Sequence, residues 1–168
     1  MKSKTMPPRK PRPSSTQGAT SPEGATWDAA DLNRRLQNSA PGKLFGYELD
    51  SVRAGKAVMS LRVLKRHLQI HGVVHGGILA SLADTAGAMA AYPMLPRGTR
   101  LATVEMKINY LEPVDRGPIT ANSQVLRLGR TLAVVECEVR AADGKLAAKA
   151  LMTFAILPAS GKRRRKSK

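Results

Sequence analysis

The chain has 168 residues, of which 42% are hydrophobic and 4% aromatic, and its formal net charge is +16. This length suits one domain with tails. The single cysteine, Cys137, excludes an intrachain disulfide and a multi-cysteine metal site, and it favours a reducing compartment. Because no stretch approaches the roughly 18 apolar residues of a membrane span and no signal peptide is visible, we expect a cytoplasmic protein.

The positive charge is concentrated at the two ends of the chain. Residues 1–27 contain five basic residues and one acid, and residues 161–168 contain six basic residues and no acid. The first 26 residues are also rich in Pro, Ser and Thr and have almost no large apolar side chains. We therefore expect 1–26 and 160–168 to be disordered basic tails around a folded domain at 27–159.

Hydrophobic periodicity predicts two helices and six strands inside this domain. A short amphipathic helix is expected from Trp27 to about Asn38, ended by Pro41-Gly42. A second helix, from about His75 to Tyr92, is apolar nearly all round, which predicts burial on most sides. Period-2 alternation and turn signals place strands at Phe45–Arg53, Lys56–Val63, Leu101–Leu111, Ile119–Leu128, Thr131–Arg140 and Leu146–Leu157. This set predicts an α+β fold with a largely antiparallel sheet curved over the long helix.

A glycine pair, Gly76-Gly77, opens the long helix. The first amides of a helix have no internal partner, the helix dipole adds partial positive charge, and glycine lets a ligand approach closely. Such a corner can stabilise a developing oxyanion in acyl transfer. Packing or turn chemistry is the alternative explanation for a glycine pair at this position.

One carboxylate, Asp84, lies in the middle of this apolar helix. A structural aspartate would need a cationic or capping partner, which a mid-helix position does not supply locally, so a general base or a nucleophile is the competing interpretation. Asp84 follows Gly76 by eight residues, or about 12 Å along a helix. Since a reacting carbonyl needs both groups within about 3 Å, two chains must supply them, as in a homodimer with two equivalent sites.

The spacing of these residues resembles a known enzyme family. The run Gln69–Asp84, together with Thr103–Leu111 and Gly129-Arg130, is similar to the hotdog-fold acyl-CoA thioesterases of the phenylacetate-pathway or aryl-CoA type. Their pattern is an Asn or Gln, a Gly three residues later, then His-Gly-Gly, then an Asp or Glu nine residues after the His. It is matched here by Gln69, Gly72, His75-Gly76-Gly77 and Asp84. The resemblance covers about residues 28–157 and implies a hotdog fold.

The resemblance also implies an activity, which is hydrolysis of an aryl- or medium-chain acyl-CoA thioester to a free acid and coenzyme A. Asp84 would be the base or nucleophile, and the Gly76 amide of the partner chain would polarise the carbonyl, with Gly77 beside it in substrate binding. Gln69 would orient the attacking water or the acyl group, and His75 would shape the helix start. The active unit would be a homodimer or a dimer of dimers.

One departure from the family concerns the residue that holds the water. Some relatives have Ser or Thr four residues after the carboxylate, where this chain has Ala88. Thr103 aligns with a position that holds a water-binding Ser or Thr in part of the family. The resemblance therefore assigns this role to Thr103.

Coenzyme A contains phosphates, so its thioesters need cationic contacts. Arginine suits bidentate phosphate binding, and we favour Arg130, beside the flexible Gly129, together with Arg100. No cofactor or metal is expected, since three histidines without nearby acids make a poor metal site.

A second hypothesis follows from the basic tails. The domain could be a non-catalytic hotdog module that senses acyl-CoA or associates with nucleic acid or an anionic surface. Its binding would be steeply salt-dependent and would be lost on removal of residues 161–168. No aromatic residues interleave with these charges, so base stacking is unsupported and no specific nucleic-acid partner is expected.

Overall fold

The computed structural model describes residues 27–158, and both predicted tails lie outside this range. It contains three α-helices, which are α1 (Ala29–Asn38), α2 (Ala40–Phe45) and α3 (Gly76–Ala91). Its six strands are β1 (Tyr47–Arg53), β2 (Lys56–Arg62), β3 (Arg100–Tyr110), β4 (Pro118–Leu128), β5 (Leu132–Arg140) and β6 (Leu146–Leu157). None of the helices in 27–158 is long and apolar enough to cross a membrane.

The six strands form one antiparallel sheet in the order β1-β2-β4-β5-β6-β3, and the sheet curves around α3. Strand β5 shows why the sequence folds this way, because every second side chain faces the helix and is fully buried: Ala133, Val135, Cys137 and Val139. The α+β hotdog fold predicted above is therefore confirmed.

Small residues on α3 let the sheet approach it closely. At Gly87 an added Cβ would lie 2.8 Å from Met152 Cε and 3.2 Å from the ring of Phe154, both on β6. A neighbouring face of α3, around Ser81, Asp84 and Ala88, is only half-buried. The helix is thus buried on most sides of a single chain, as expected, and this face is the one left partly open.

The chain folds differently from the prediction between residues 39 and 46. The first helix ends at Asn38 as expected, but Pro41 and Gly42 belong to a second helix, α2. The Ser39 hydroxyl caps it by accepting a hydrogen bond from Gly42 N–H at 3.0 Å, and proline is tolerated in a first helical turn because no internal acceptor is lost there. Phe45 therefore ends α2, and the first strand begins at Tyr47.

Strand β3 lies at an edge of the sheet and contains a β-bulge at Val104. The register shifts between Thr103 and Glu105, so Val104 is 58% exposed, although simple alternation places it on one face with Met106 and Ile108. A bulge re-aims the side chains on either side of it. Because of this bulge, the Thr103 side chain points to the face of the sheet that packs against α3.

Phe154 is 1% exposed and packs against Gly87, so we predict that Phe154→Ala lowers the free energy of unfolding by about 3–5 kcal/mol. Leu157→Ala is the matched control, because Leu157 lies on the same strand but is 37% exposed, and we expect a loss of about 1 kcal/mol or less. Urea unfolding of both variants measures the difference. Equal losses would show that the helix–sheet contact is not the centre of the core.

Candidate active site

Asp84 has a hydrogen-bond partner that comes from the sheet. Thr103 Oγ1, on β3, donates to Asp84 Oδ1 at 2.8 Å. Desolvation by burial raises the pKa of Asp84, and the hydrogen bond from Thr103 lowers it in part. The result is a half-buried carboxylate of raised basicity that is held in a fixed orientation, which is what a general base or a nucleophile requires.

His75 shapes the start of α3. It is the N-cap residue, and its Nδ1 accepts a hydrogen bond from Gly77 N–H at 2.9 Å. The Gly77 amide is therefore occupied within the chain, which counts against its predicted contact with substrate. The Gly76 amide has no acceptor among residues 27–158. It is thus the free donor at the positive end of the helix.

Tyr110, at the end of β3, lies close to Gly76. A Cβ added to Gly76 would be 3.2 Å from Tyr110 Cε1 and Cζ, so a side chain at this position would displace the exposed Tyr110 ring by a few tenths of an ångström. The sequence places Tyr110 inside the predicted strand Leu101–Leu111 and assigns it no role. Its proximity to Gly76 depends on how β3 passes along the helix, which no local pattern encodes.

Gln69 lies in the loop that leads to α3. Its backbone N–H donates to Val73 O at 2.8 Å, and its side-chain Oε1 accepts from His71 N–H at 2.8 Å. Gln69, His75 and Gly76 line one shallow, open cleft at the helix start. The structure therefore brings together three of the predicted residues at this end.

His67 supports the same loop from inside. It is 1% exposed, and its Nδ1 accepts from Leu64 N–H at 3.1 Å. Burial, followed by the nearby Arg66, lowers the pKa of His67, which keeps the ring neutral in its structural role. In the described part of the chain, no group of three or more His, Cys, Asp or Glu side chains is placed to hold a metal ion.

The two halves of the predicted site lie at opposite ends of β3. The Asp84–Thr103 pair is near its beginning, and the Gly76–Tyr110 contact is at its last residue. Eight residues of helix separate Gly76 from Asp84, a rise of about 12 Å. A single chain therefore does not bring the amide donor and the carboxylate to one carbonyl.

Arg100 and Arg130, the predicted phosphate-binding residues, lie at the same end of the sheet. Arg100 begins β3, and Arg130 follows Gly129 in the turn between β4 and β5. On β6, Ala155 pairs with Ala102 of β3 on one side and with Leu132 of β5 on the other. The beginnings of β3 and β5 therefore lie level with each other on either side of β6. Both arginines are exposed, and this end of β3 is the one that holds Thr103.

Comparison with known proteins identifies the family. The family model described as "Thioesterase superfamily" matches residues 71–148. A structure of a variant of thioesterase PA1618 from Pseudomonas aeruginosa is 30% identical and superposes with a TM-score of 0.73, covering 80% of this chain and 96% of that one. The chain belongs to the thioesterase superfamily. As a thioesterase of this superfamily, it is an enzyme that hydrolyses thioesters.

Two further relatives have names that state a more specific role. A variant of the phenylacetic acid degradation protein PaaI from Thermus thermophilus is 29% identical, with a TM-score of 0.65 over 71% of this chain and all of that one. The 1,4-dihydroxy-2-naphthoyl-CoA hydrolase of Listeria monocytogenes is 29% identical over 111 residues, 66% of this chain and 90% of its own. The predicted resemblance to hotdog thioesterases of the PaaI type is confirmed.

The hydrogen bond from Thr103 favours the charged form of Asp84, so we predict that Thr103→Val raises the pKa of Asp84 further. Carbon-13 NMR titration of the Asp84 carboxyl measures this shift. Thr85→Val is the control, because the Thr85 hydroxyl donates to Ser81 O instead, and it should leave the pKa of Asp84 unchanged. An unchanged or lower pKa in Thr103→Val would refute the contact.

Proposed function

We propose that the protein is an acyl-CoA thioesterase that hydrolyses an aryl- or medium-chain acyl-CoA thioester to the free acid and coenzyme A. The observation that carries this proposal is the Thr103–Asp84 hydrogen bond, which presents a desolvated carboxylate on the half-open face of α3. The membership of the thioesterase superfamily and the similarity to an acyl-CoA hydrolase support the substrate class.

Asp84 acts on the thioester carbonyl in one of two ways. As a general base it takes a proton from water while the water oxygen bonds to the carbonyl carbon. The C–S bond then breaks, and the proton leaves with the coenzyme A thiol. As a nucleophile Asp84 bonds to the carbonyl carbon, the C–S bond breaks and coenzyme A leaves as the thiolate. Water then cleaves the anhydride, which returns the Asp84 carboxylate and the free acid, and the proton released from water goes to the thiolate. In both cases Thr103 orients the carboxylate and binds the water, since Ala88 has no hydroxyl to do so.

A homodimer formed through β3 completes this site. The free edge of β3 leaves backbone hydrogen-bonding groups without a partner strand in residues 27–158, and Val104 and Tyr110 are more than half exposed along it. If two copies pair antiparallel about a two-fold axis near residues 106 and 107, Thr103 of one chain meets Tyr110 of the other. The Asp84 of one protomer then lies beside the Gly76 of its partner.

The partner's end of α3 supplies the remaining groups. The unoccupied Gly76 amide donates to the carbonyl oxygen and stabilises the negative charge that develops there. Gln69, in the same cleft, orients the water or the acyl group, and His75 fixes the helix start through Gly77. The half-buried face of α3 is covered in this arrangement, which removes the exposed apolar surface left on a single chain.

Coenzyme A is held at the end of the sheet where Arg100 and Arg130 are exposed. Their guanidinium groups provide the bidentate donors that phosphates require, and Gly129 leaves the turn open to the nucleotide. This end of the sheet also contains the Asp84–Thr103 pair, so the thioester can reach the carboxylate while the phosphates remain near solvent.

We predict that Asp84→Asn lowers kcat by at least about 100-fold, because the amide can neither accept the proton nor attack the carbonyl. A panel of benzoyl-CoA, phenylacetyl-CoA and hexanoyl-CoA, followed by release of free thiol, measures the effect. Asp50→Asn is the control, because Asp50 bonds to Ser60 on the opposite edge of the sheet and should leave kcat unchanged. Near-equal rates for Asp84→Asn and wild type would remove Asp84 from the mechanism.

The two-chain site predicts complementation between inactive variants. Gly76→Pro removes the amide donor at a helix position that tolerates proline, so both Gly76→Pro and Asp84→Asn homodimers should be nearly inactive. In a mixed dimer one of the two sites combines an intact Asp84 with an intact partner Gly76. Random mixing after unfolding and refolding should therefore restore about a quarter of wild-type activity. No recovery, with mixed dimers verified by mass spectrometry, would place both groups in one chain.

A further inference from the structure

A cavity of about 330 Å³ lies between the N-terminal helices and the C-terminal half of α3. Trp27, Leu32 and Leu36 form its outer wall, and Thr85 and Met89 form its inner wall. None of these residues belongs to the catalytic assignments above. The volume is within the range of pockets that enclose small organic groups.

The cavity lies against the face of α3 next to the one that carries Asp84, although Asp84 and Thr103 do not themselves line it. Thr85 immediately follows Asp84, and Arg100, which also lines the cavity, precedes Thr103 by three residues on β3. Ala88 lies one helical turn after Asp84. Its side chain is a single methyl group, so no large side chain at this position separates the carboxylate from the cavity. An acyl group whose carbonyl lies at Asp84 can therefore extend into this space.

The walls of the cavity favour a flat group. The rings of Trp27 and Tyr92 meet edge to face, with centroids 5.5 Å apart and an angle of 63° between their planes. Met89 adds a flexible thioether, which packs well against aromatic rings. Such walls offer both a ring face and a ring edge to a planar ligand.

Two polar groups of the outer wall lack a protein partner. Trp27 is 6% exposed, and its Nε1–H has no acceptor among residues 27–158. Arg35 Cζ lies 4.3 Å from the Trp27 ring centroid, and Arg35 makes no ion pair with a carboxylate of the described residues. A buried donor without an acceptor is costly, so the Trp27 indole N–H points to a ligand that accepts hydrogen bonds, and the exposed Arg35 guanidinium beside it is available to the same ligand.

Asp31 holds the outer wall in place. It is buried on α1 and forms ion pairs with Arg34 on the same helix and with Arg97 in the segment before β3. Because these two arginines are bound by Asp31, Arg35 is the cation of α1 that remains free for a ligand. The cavity is therefore fixed to the start of β3 by an ion-pair cluster.

We propose that this cavity binds the acyl group of the thioester and that Arg35 and Trp27 determine its specificity. The preferred acyl group is planar and has an anion or a hydrogen-bond acceptor at the end remote from the thioester, where Arg35 and the Trp27 indole N–H receive it. This inference rests on the proposed thioesterase function and goes beyond it by naming the residues that select the acyl group.

The experiment compares kcat/KM for propionyl-CoA, benzoyl-CoA and 4-hydroxybenzoyl-CoA in the full-length protein. Met89→Trp fills the cavity and should lower kcat/KM for both aryl substrates by about tenfold or more, while propionyl-CoA changes by less than about twofold. Arg35→Gln should lower kcat/KM for 4-hydroxybenzoyl-CoA about tenfold and that for benzoyl-CoA about twofold or less. Arg116→Gln, an exposed arginine paired with Asp115, is the control and should change neither.

The outcomes separate this inference from the proposed function. If the wild type hydrolyses none of the three thioesters, the proposed function is wrong and the inference falls with it. If the wild type is active but Met89→Trp and Arg35→Gln keep wild-type selectivity, the acyl group binds elsewhere and the inference alone is overturned. Thermal melts identify a variant that fails to fold, and Arg35→Gln, a change at an exposed side chain, then decides the question alone.

Discussion

The rigid spacing along α3 is the constraint on which the site depends. A helix cannot shorten the rise of about 12 Å between Gly76 and Asp84, and the sheet wrapped around it prevents the helix from bending. Strand β3 reaches both positions, because Thr103 hydrogen-bonds Asp84 near its start and Tyr110 lies close to Gly76 at its end. In the proposed site, one chain therefore supplies two halves that belong to different active sites, each with a supporting residue from β3.

The packing that fixes this spacing also explains the chemistry of Asp84. Alanines and Gly87 on one side of α3 let β6 approach closely, so that side is fully buried. The other side retains Ser81, Asp84 and Ala88 at intermediate burial. A carboxylate on such a face loses part of its hydration while keeping access to substrate, which is why desolvation raises its pKa. In the proposed dimer the partner removes still more water from Asp84, and the same burial that raises its basicity also closes the site.

The sequence predicts the regular parts of this fold well, because alternation is a local signal. Strands β5 and β6 are found within one residue of their predicted bounds, and α3 starts one residue after its predicted start. Helix α2 was missed because Pro41-Gly42 has the composition of a turn, and only the Ser39 cap reveals a helix. Asp84 and Thr103 were each selected, but their contact depends on strand order and on the bulge at Val104. Neither feature can be derived from a single stretch of sequence.

The residues of the proposed reaction and the residues of the cavity wall lie on elements that are anchored by different contacts. Asp84 and Thr103 lie on α3 and β3, which are fixed by the core. Arg35 lies on α1 and Trp27 two residues before it, and an ion pair between Asp31 and Arg97 fastens this segment to the start of β3. Changes in α1 can therefore alter the wall of the cavity without moving the carboxylate. In the proposed thioesterase, substitutions in this short segment would therefore change the preferred acyl group, because a different part of the fold positions the bond that is broken.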